Sequence, residues 1–114
     1  MIKISKIMSF LVCIYSVTAF AGTAEGKVSW IQVNVNTGSP NIALVKFSNM
    51  PEASPACATD VNGRMAVSLE SEGGKAFYAM ALAAQASGKT LWAAGAGRCI
   101  GGAVEEVDYG RLKN

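Results

Sequence analysis

A single helical stripe interrupts a chain whose other apolar residues alternate, and its position restricts the fold more than anything else in the sequence. Phe77, Met80, Ala81 and Ala84 recur at the spacing of one helix face. Ser71 supplies an N-cap, Glu72 suits the positive end of the helix, and Gly88 stops it after Ser87. Ala76, Ala79, Ala83 and Ala86 favour the helix and leave it a thin surface that can lie close to a sheet.

Strand patterns flank this helix. From Lys27 to Asn36 the period is two, with Ile31, Val33 and Val35 on one face and Trp30, Gln32 and Asn34 on the other, as in a half-buried strand. Thr37-Gly38-Ser39-Pro40 has turn chemistry, and Asn41 to Ser48 alternates again with Ala43, Val45 and Phe47 inward, so the two strands predict a hairpin. The prolines and small residues from Asn49 to Asn62 read as a loop. A third strand runs from Arg64 to Glu70 with Met65, Val67 and Leu69 inward. After the helix, Thr90 to Gly97 gives a fourth strand, whose Ala93-Ala94-Gly95-Ala96 implies that something packs closely over it. Gly101-Gly102 turns the chain into a fifth strand, Ala103 to Leu112. The order β-β-β-α-β-β predicts a mainly β domain with one helix, an OB-fold-like five-stranded Greek-key barrel. A ferredoxin-like order needs a second helix, and no segment supplies one.

Residues 1–21 have the three parts of a secretory signal: Lys3 and Lys6 at the start, an apolar stretch from Ile7 to Val17, and Ala19-Phe20-Ala21 as a cleavage site. The stretch is shorter than the roughly 20 residues that span a bilayer, and Ser9, Ser16 and Thr18 interrupt it. We therefore expect a cut after Ala21 and a single exported domain, 22–114, secreted or periplasmic, with no membrane span after cleavage. Cys13 leaves with the leader, so the remaining pair, Cys57 and Cys99, is expected to form one disulfide. Closing that loop removes unfolded-chain entropy worth about 4 kcal/mol.

Loss of Lys3 and Lys6 brings the ten basic residues level with the eight acidic ones. A neutral domain lacks the footprint that draws proteins to phosphate backbones, so no nucleic-acid partner is expected. There is no histidine, which removes the Ser-His and Cys-His nucleophile pairs and the usual catalytic zinc sets. Gly88-Lys89-Thr90 resembles the end of a phosphate-binding loop, but Ala83 stands where that motif needs glycine and a strand follows where it needs a helix. Gly95-Ala96-Gly97 likewise precedes no helix and reads as packing or bulge glycine. The carboxylate groups, Glu70 with Glu72 and Glu105 with Glu106 and Asp108, fall at a strand end or on an edge strand, where such residues are ordinarily solvated. No enzyme, cofactor or metal site is predicted.

Surface recognition remains. Trp30 shares a face with Gln32 and Asn34, an aromatic plane beside amide donors and acceptors that can stack on a sugar and bond its hydroxyls. The same ring fits the cover of a barrel end or a subunit contact, since aromatics are enriched at interfaces. Trp92 and Tyr78 carry the same two readings.

The segment ending Asn36-Thr37-Gly38, the Ala56-Cys57-Ala58 element before a strand, the helix ending Ala86-Ser87-Gly88-Lys89 and the strand running to Cys99 follow one another in an order that resembles a known family. It is that of the B subunits of subtilase cytotoxin, the related typhoid-toxin binding subunit and small exported bacterial relatives. The resemblance implies an OB-fold, a homo-pentamer, and non-catalytic binding of sialylated glycans at the barrel surface. It also implies a sugar-contacting serine near the start of the first strand, for which Ser29 is the closest position. The aromatic-rich segment that follows the helix in those subunits is replaced here by Ala93-Ala94-Gly95. The sequence thus points to a binding module for a glycan or protein partner, with ligand residues Ser29, Trp30, Gln32 and Asn34. The alternative is a small periplasmic or secreted structural or inhibitor-type protein without glycan binding.

Overall fold

The computed structural model describes residues 21–35 and 41–114. Residues 1–20, which hold most of the expected leader and Cys13, and residues 36–40, which hold the expected turn, lie outside the described residues. The chain forms β1 (Thr23–Gly26), β2 (Val28–Asn34), β3 (Ile42–Phe47), β4 (Met65–Ser68), α1 (Glu72–Ser87), β5 (Thr90–Ile100) and β6 (Val104–Lys113). It is mainly β with one helix, but six strands are present among the described residues where the alternation predicted five. The additional strand is β1, which precedes the first alternating segment and ends at Gly26. That glycine holds a φ of 150°, a conformation that side chains disfavour, and it breaks the strand before Lys27.

All six strands join one sheet in the order β1-β5-β6-β4-β3-β2. Every neighbouring pair is antiparallel except β4 with β6, where Met65 aligns with Glu105 and Ala66 with Glu106. The outermost strands, β1 and β2, are consecutive in the chain with only Lys27 between them. One short stretch therefore borders both sides of the sheet, which curls into a barrel-like form.

Alternation is obeyed where the sheet has a layer to bury. Ala43, Val45 and Phe47 of β3 and Met65 and Val67 of β4 enter one core with Leu91 and Ala93 of β5. The helix adds Phe77, Ala81 and Ala84, and its Met80 packs at the margin, as the stripe predicts. Ser71 caps it by accepting a bond from Gly74 N at 3.0 Å, and Gly88 leaves it in the left-handed conformation. The alternate residues Leu44 and Ala66 join Val104 in a second, smaller cluster. Cys57 and Cys99 are bonded to each other, which ties the loop before β4 to β5. Cys99 lies within β5, a strand that continues to Ile100, rather than ending it.

β2 departs from its predicted half-buried pattern. Only Val28 is buried, Ile31 packs at the core margin, and Val33 and Val35 are exposed, Val35 by 75%. Val28 belongs to the main core cluster and Ile31 packs against it, whereas Val33 and Val35 join neither cluster.

Candidate functional site

The predicted recognition residues lie on this outer strand. The register between β2 and β3 slips between Val28 and Trp30, after which Trp30 pairs with Lys46, Gln32 with Leu44 and Asn34 with Ile42. The slip places an irregularity at Ser29, and from Trp30 onward the three polar or aromatic side chains share one face. Trp30 is 37% exposed.

Arg64, just before β4, links this row together. Its guanidinium carbon lies 5.7 Å from the centre of the Trp30 ring, and its Nη1 donates to Gln32 Oε1 at 3.1 Å. Gln32 Nε2 donates in turn to Asn34 Oδ1 at 2.8 Å. Asp60 anchors the arginine: its carboxylate accepts from Arg64 Nε at 2.8 Å, Nη2 at 2.9 Å and backbone N at 2.9 Å. These bonds hold the Asp60 carboxyl below the usual carboxylate range, against the opposing effect of its burial, and they raise Arg64. A bidentate, partly buried pair of this kind fixes the guanidinium plane, and a fixed plane fixes the ring and amides beside it.

The structure thus brings together Trp30, Gln32 and Asn34 and adds Arg64 and Asp60, which sequence reasoning did not assign to the site. The available signal was the spacing Asp60-Val61-Asn62-Gly63-Arg64, a turn that returns a cation onto its own carboxylate. Ser29 is exposed on the same strand, and among the described residues no side-chain hydrogen bond links it to the row. The ordered set offers a half-exposed ring face, a planar cation, and amide groups with unused donor and acceptor capacity. Such a set can stack on a ligand's apolar face and hydrogen-bond its polar rim.

The other aromatic candidates separate. Tyr78 packs against the core. Trp92 stands against exposed Tyr109 with ring centres 5.4 Å apart, and Arg111 lies 5.0 Å from the Trp92 ring, a second aromatic and cationic cluster at the opposite side of the sheet order from β2.

One carboxylate contradicts its predicted environment. Glu105 was expected to be solvated on an edge strand, yet it is 2% exposed, because β6 lies between β5 and β4 inside the sheet. Its oxygens accept from Gly22 N at 3.0 and 3.2 Å and from Gly97 N at 3.1 Å. A Cβ at Gly95 would fall on the carboxylate itself. What packs closely over the small residues of β5 is therefore a charged group. Neighbouring Glu106 pairs with Arg98, Asp108 is exposed, and Glu70 and Glu72 are exposed at the helix start.

A cleft of about 440 Å³ runs between the first turns of α1 and β6, bordered by Ser71, Gly73, Phe77, Arg98, Glu106 and Tyr109. Arg98 and Glu106 pair with each other at its wall, and Asp108 adds a second carboxylate there. Among the described residues no group of three or more His, Cys, Asp or Glu side chains is placed to hold a metal ion, and no helix is long and apolar enough to cross a membrane. No protein-family model matches the chain, and neither a curated protein nor a solved structure matches it. The geometry above carries the functional argument.

Proposed function

We propose that this chain is an exported, non-catalytic binding module that recognises a glycan, or else a protein partner, through the surface centred on Trp30. The observation that carries the reading is the row Trp30, Gln32 and Asn34, held in place by Arg64 and Asp60. A saccharide presents an apolar ring face rimmed by hydroxyls; an aromatic plane with adjoining amides matches both parts. The guanidinium beside the ring is paired with Asp60, and two of its five N–H donors remain for a hydroxyl or carboxylate oxygen of a sugar, the carboxylate being the feature that distinguishes sialylated sugars from neutral ones.

The same reading treats the fold as an OB barrel. Its support is threefold: β1 and β2 count as two halves of one strand bent at Gly26 and Lys27, the parallel pair joins β4 to β6, and the helix lies between β4 and β5. It accords with the resemblance to the B subunits of subtilase cytotoxin, and a homo-pentamer would multiply weak individual sugar contacts into useful avidity.

The test is a glycan array that includes sialylated and desialylated pairs, probed with the wild type, Trp30→Ala and Arg64→Gln. Binding lost in both variants supports the reading. Retention in both removes the Trp30 surface from it.

A second reading has its own observation. β2 is an outer strand with exposed Val33, followed by exposed Val35, an edge of the kind that accepts a strand from another chain. A small secreted or periplasmic structural or inhibitor-type protein would use that edge, and light scattering with and without a β2 charge variant, Val33→Lys, separates the two. An oligomer that dissociates with Val33→Lys while sugars fail to bind favours the second reading.

A further inference from the structure

Glu105 is the one charged side chain buried among the described residues, and no basic side chain there forms an ion pair with it. A carboxylate withdrawn from water loses several kcal/mol of hydration. Two peptide N–H groups, from Gly22 and Gly97, offset part of this, and they supply partial charges only. One of these donors is placed unusually: Gly22 N bonds both carboxylate oxygens at once, 3.0 and 3.2 Å away. Gly22 is also the residue that follows Ala19-Phe20-Ala21.

We propose that the leader is cut between Ala21 and Gly22 and that the Gly22 α-ammonium so released becomes the counter-charge of Glu105 inside the fold. The inference rests on the exported reading given above. In the cut, water adds its oxygen to the Ala21 carbonyl carbon and the C–N bond breaks. Ala21 leaves as a carboxylate, and Gly22 N takes up both of the water's protons to become an ammonium. A leader peptidase of the exporting cell is the catalyst. One amide N–H is thereby replaced by a full positive charge with three donors, at a position already within bonding distance of both oxygens.

The surroundings of residue 22 fit this role. Its carbonyl accepts from Gly95 N at 2.7 Å, and the next residue, Thr23, exchanges bonds with Glu52 at 2.9 and 2.8 Å, so the terminus is held from two sides. A Cβ on residue 22 would lie 2.6 Å from Glu105 Oε1 and 3.1 Å from the Glu52 carbonyl, so a side chain there would crowd the carboxylate and glycine leaves it room. Ala21 is exposed and Gly22 buried, which puts the scissile bond at the mouth of the pocket and requires the cut before the sheet closes. The leader-bearing chain lacks the ion pair, and removal of the leader supplies it. Processing therefore firms the fold.

The full 114-residue chain is expressed in a bacterium that exports it, and the processed protein is purified and weighed intact. Its α-amine is then acylated near neutral pH, folded and in urea, with the lysine side chains as internal reference. The expected mass begins at Gly22, and the expected α-amine rate is at least about tenfold slower in the folded protein than in urea, because reaction awaits local opening. Glu105→Gln should bring the folded rate close to the urea rate. Should that variant fail to fold, the wild-type comparison decides alone. A Gly22 start with equal rates overturns the ion pair and leaves the export reading intact. A start at any other residue overturns the cut site, and the mass of the uncut chain overturns the export reading and the proposal together.

Discussion

β1 and β2 are separated by one lysine, yet they have opposite fates. β1 pairs with β5, buries Ala24 and Gly26, and leads at Gly22 to an internal carboxylate. β2 pairs with β3, buries only Val28, and displays Trp30, Gln32 and Val33, with Val35 exposed just beyond it. The sequences Thr23–Gly26 and Val28–Asn34 do not foretell this, for the apolar alternation is far stronger in the second. Both are outermost strands with one neighbour each, so the difference lies on their faces: Ala24 joins the main core, whereas Val33 and Val35 join neither apolar cluster. One region is closed into the core and the other faces outward.

Four perturbations break or sharpen that division. The largest effect is expected on the β5 side, from replacing Cys57 and Cys99 together with serine. Opening the loop should lower unfolding free energy in urea by up to about 4 kcal/mol. Gly95→Ala comes next, since its methyl group would occupy the Glu105 carboxylate; overpacking of this kind costs about 3 kcal/mol, read from the same urea transition. If either variant melts like the wild type, the stabilising role of that side is wrong.

On the β2 side the effects are smaller. Asp60 has its carboxyl lowered by Arg64 from an ordinary value of 3.8, so the folded state holds the charged form more tightly than the unfolded state does. Its contribution is therefore fully present above 3.8 and fades as pH falls through the lower folded value. Thermal melts of wild type and Asp60→Asn should differ by a constant amount from neutral pH down to that region and converge below it. Trp30→Ala should matter least to the fold, changing stability by less than about 0.5 kcal/mol, while abolishing sugar binding on the array. A large loss of stability would instead make Trp30 a structural cover.

Much of the frame was legible because its signals are local. The stripe of Phe77, Ala81 and Ala84, the cap at Ser71 and the stop at Gly88 each report a helix without reference to the rest of the chain. The same holds for the alternation of β3 and β4, and the cysteine pair follows from counting. The missed features depend on distant partners. β1 carries a single apolar side chain, Ala24, too little to declare a period, and exists because β5 receives it. Glu105 is a glutamate beside a glutamate, and nothing in its own neighbourhood marks it for burial. Its trace lay in Gly95 and Gly97 across the sheet and in Gly22, which the chain brings from its other end. Of the surface row, the ring and amides were readable from β2, whereas Arg64 and Asp60, which organise them, belong to a turn before β4.

The pairing of β1 with β5 also sets a timetable. Thr23 finds its partner at Ala94, and the helix, β3 and β4 are all synthesised in between. A contact so distant along the chain carries a high loop-closure penalty before it returns anything, and chains dominated by such contacts fold slowly. The hairpin of β2 and β3 and the helix can form early, while the first strand waits for one of the last. Stopped-flow refolding should show Trp30 reporting before Trp92, with the lag between them measuring how long the barrel remains open.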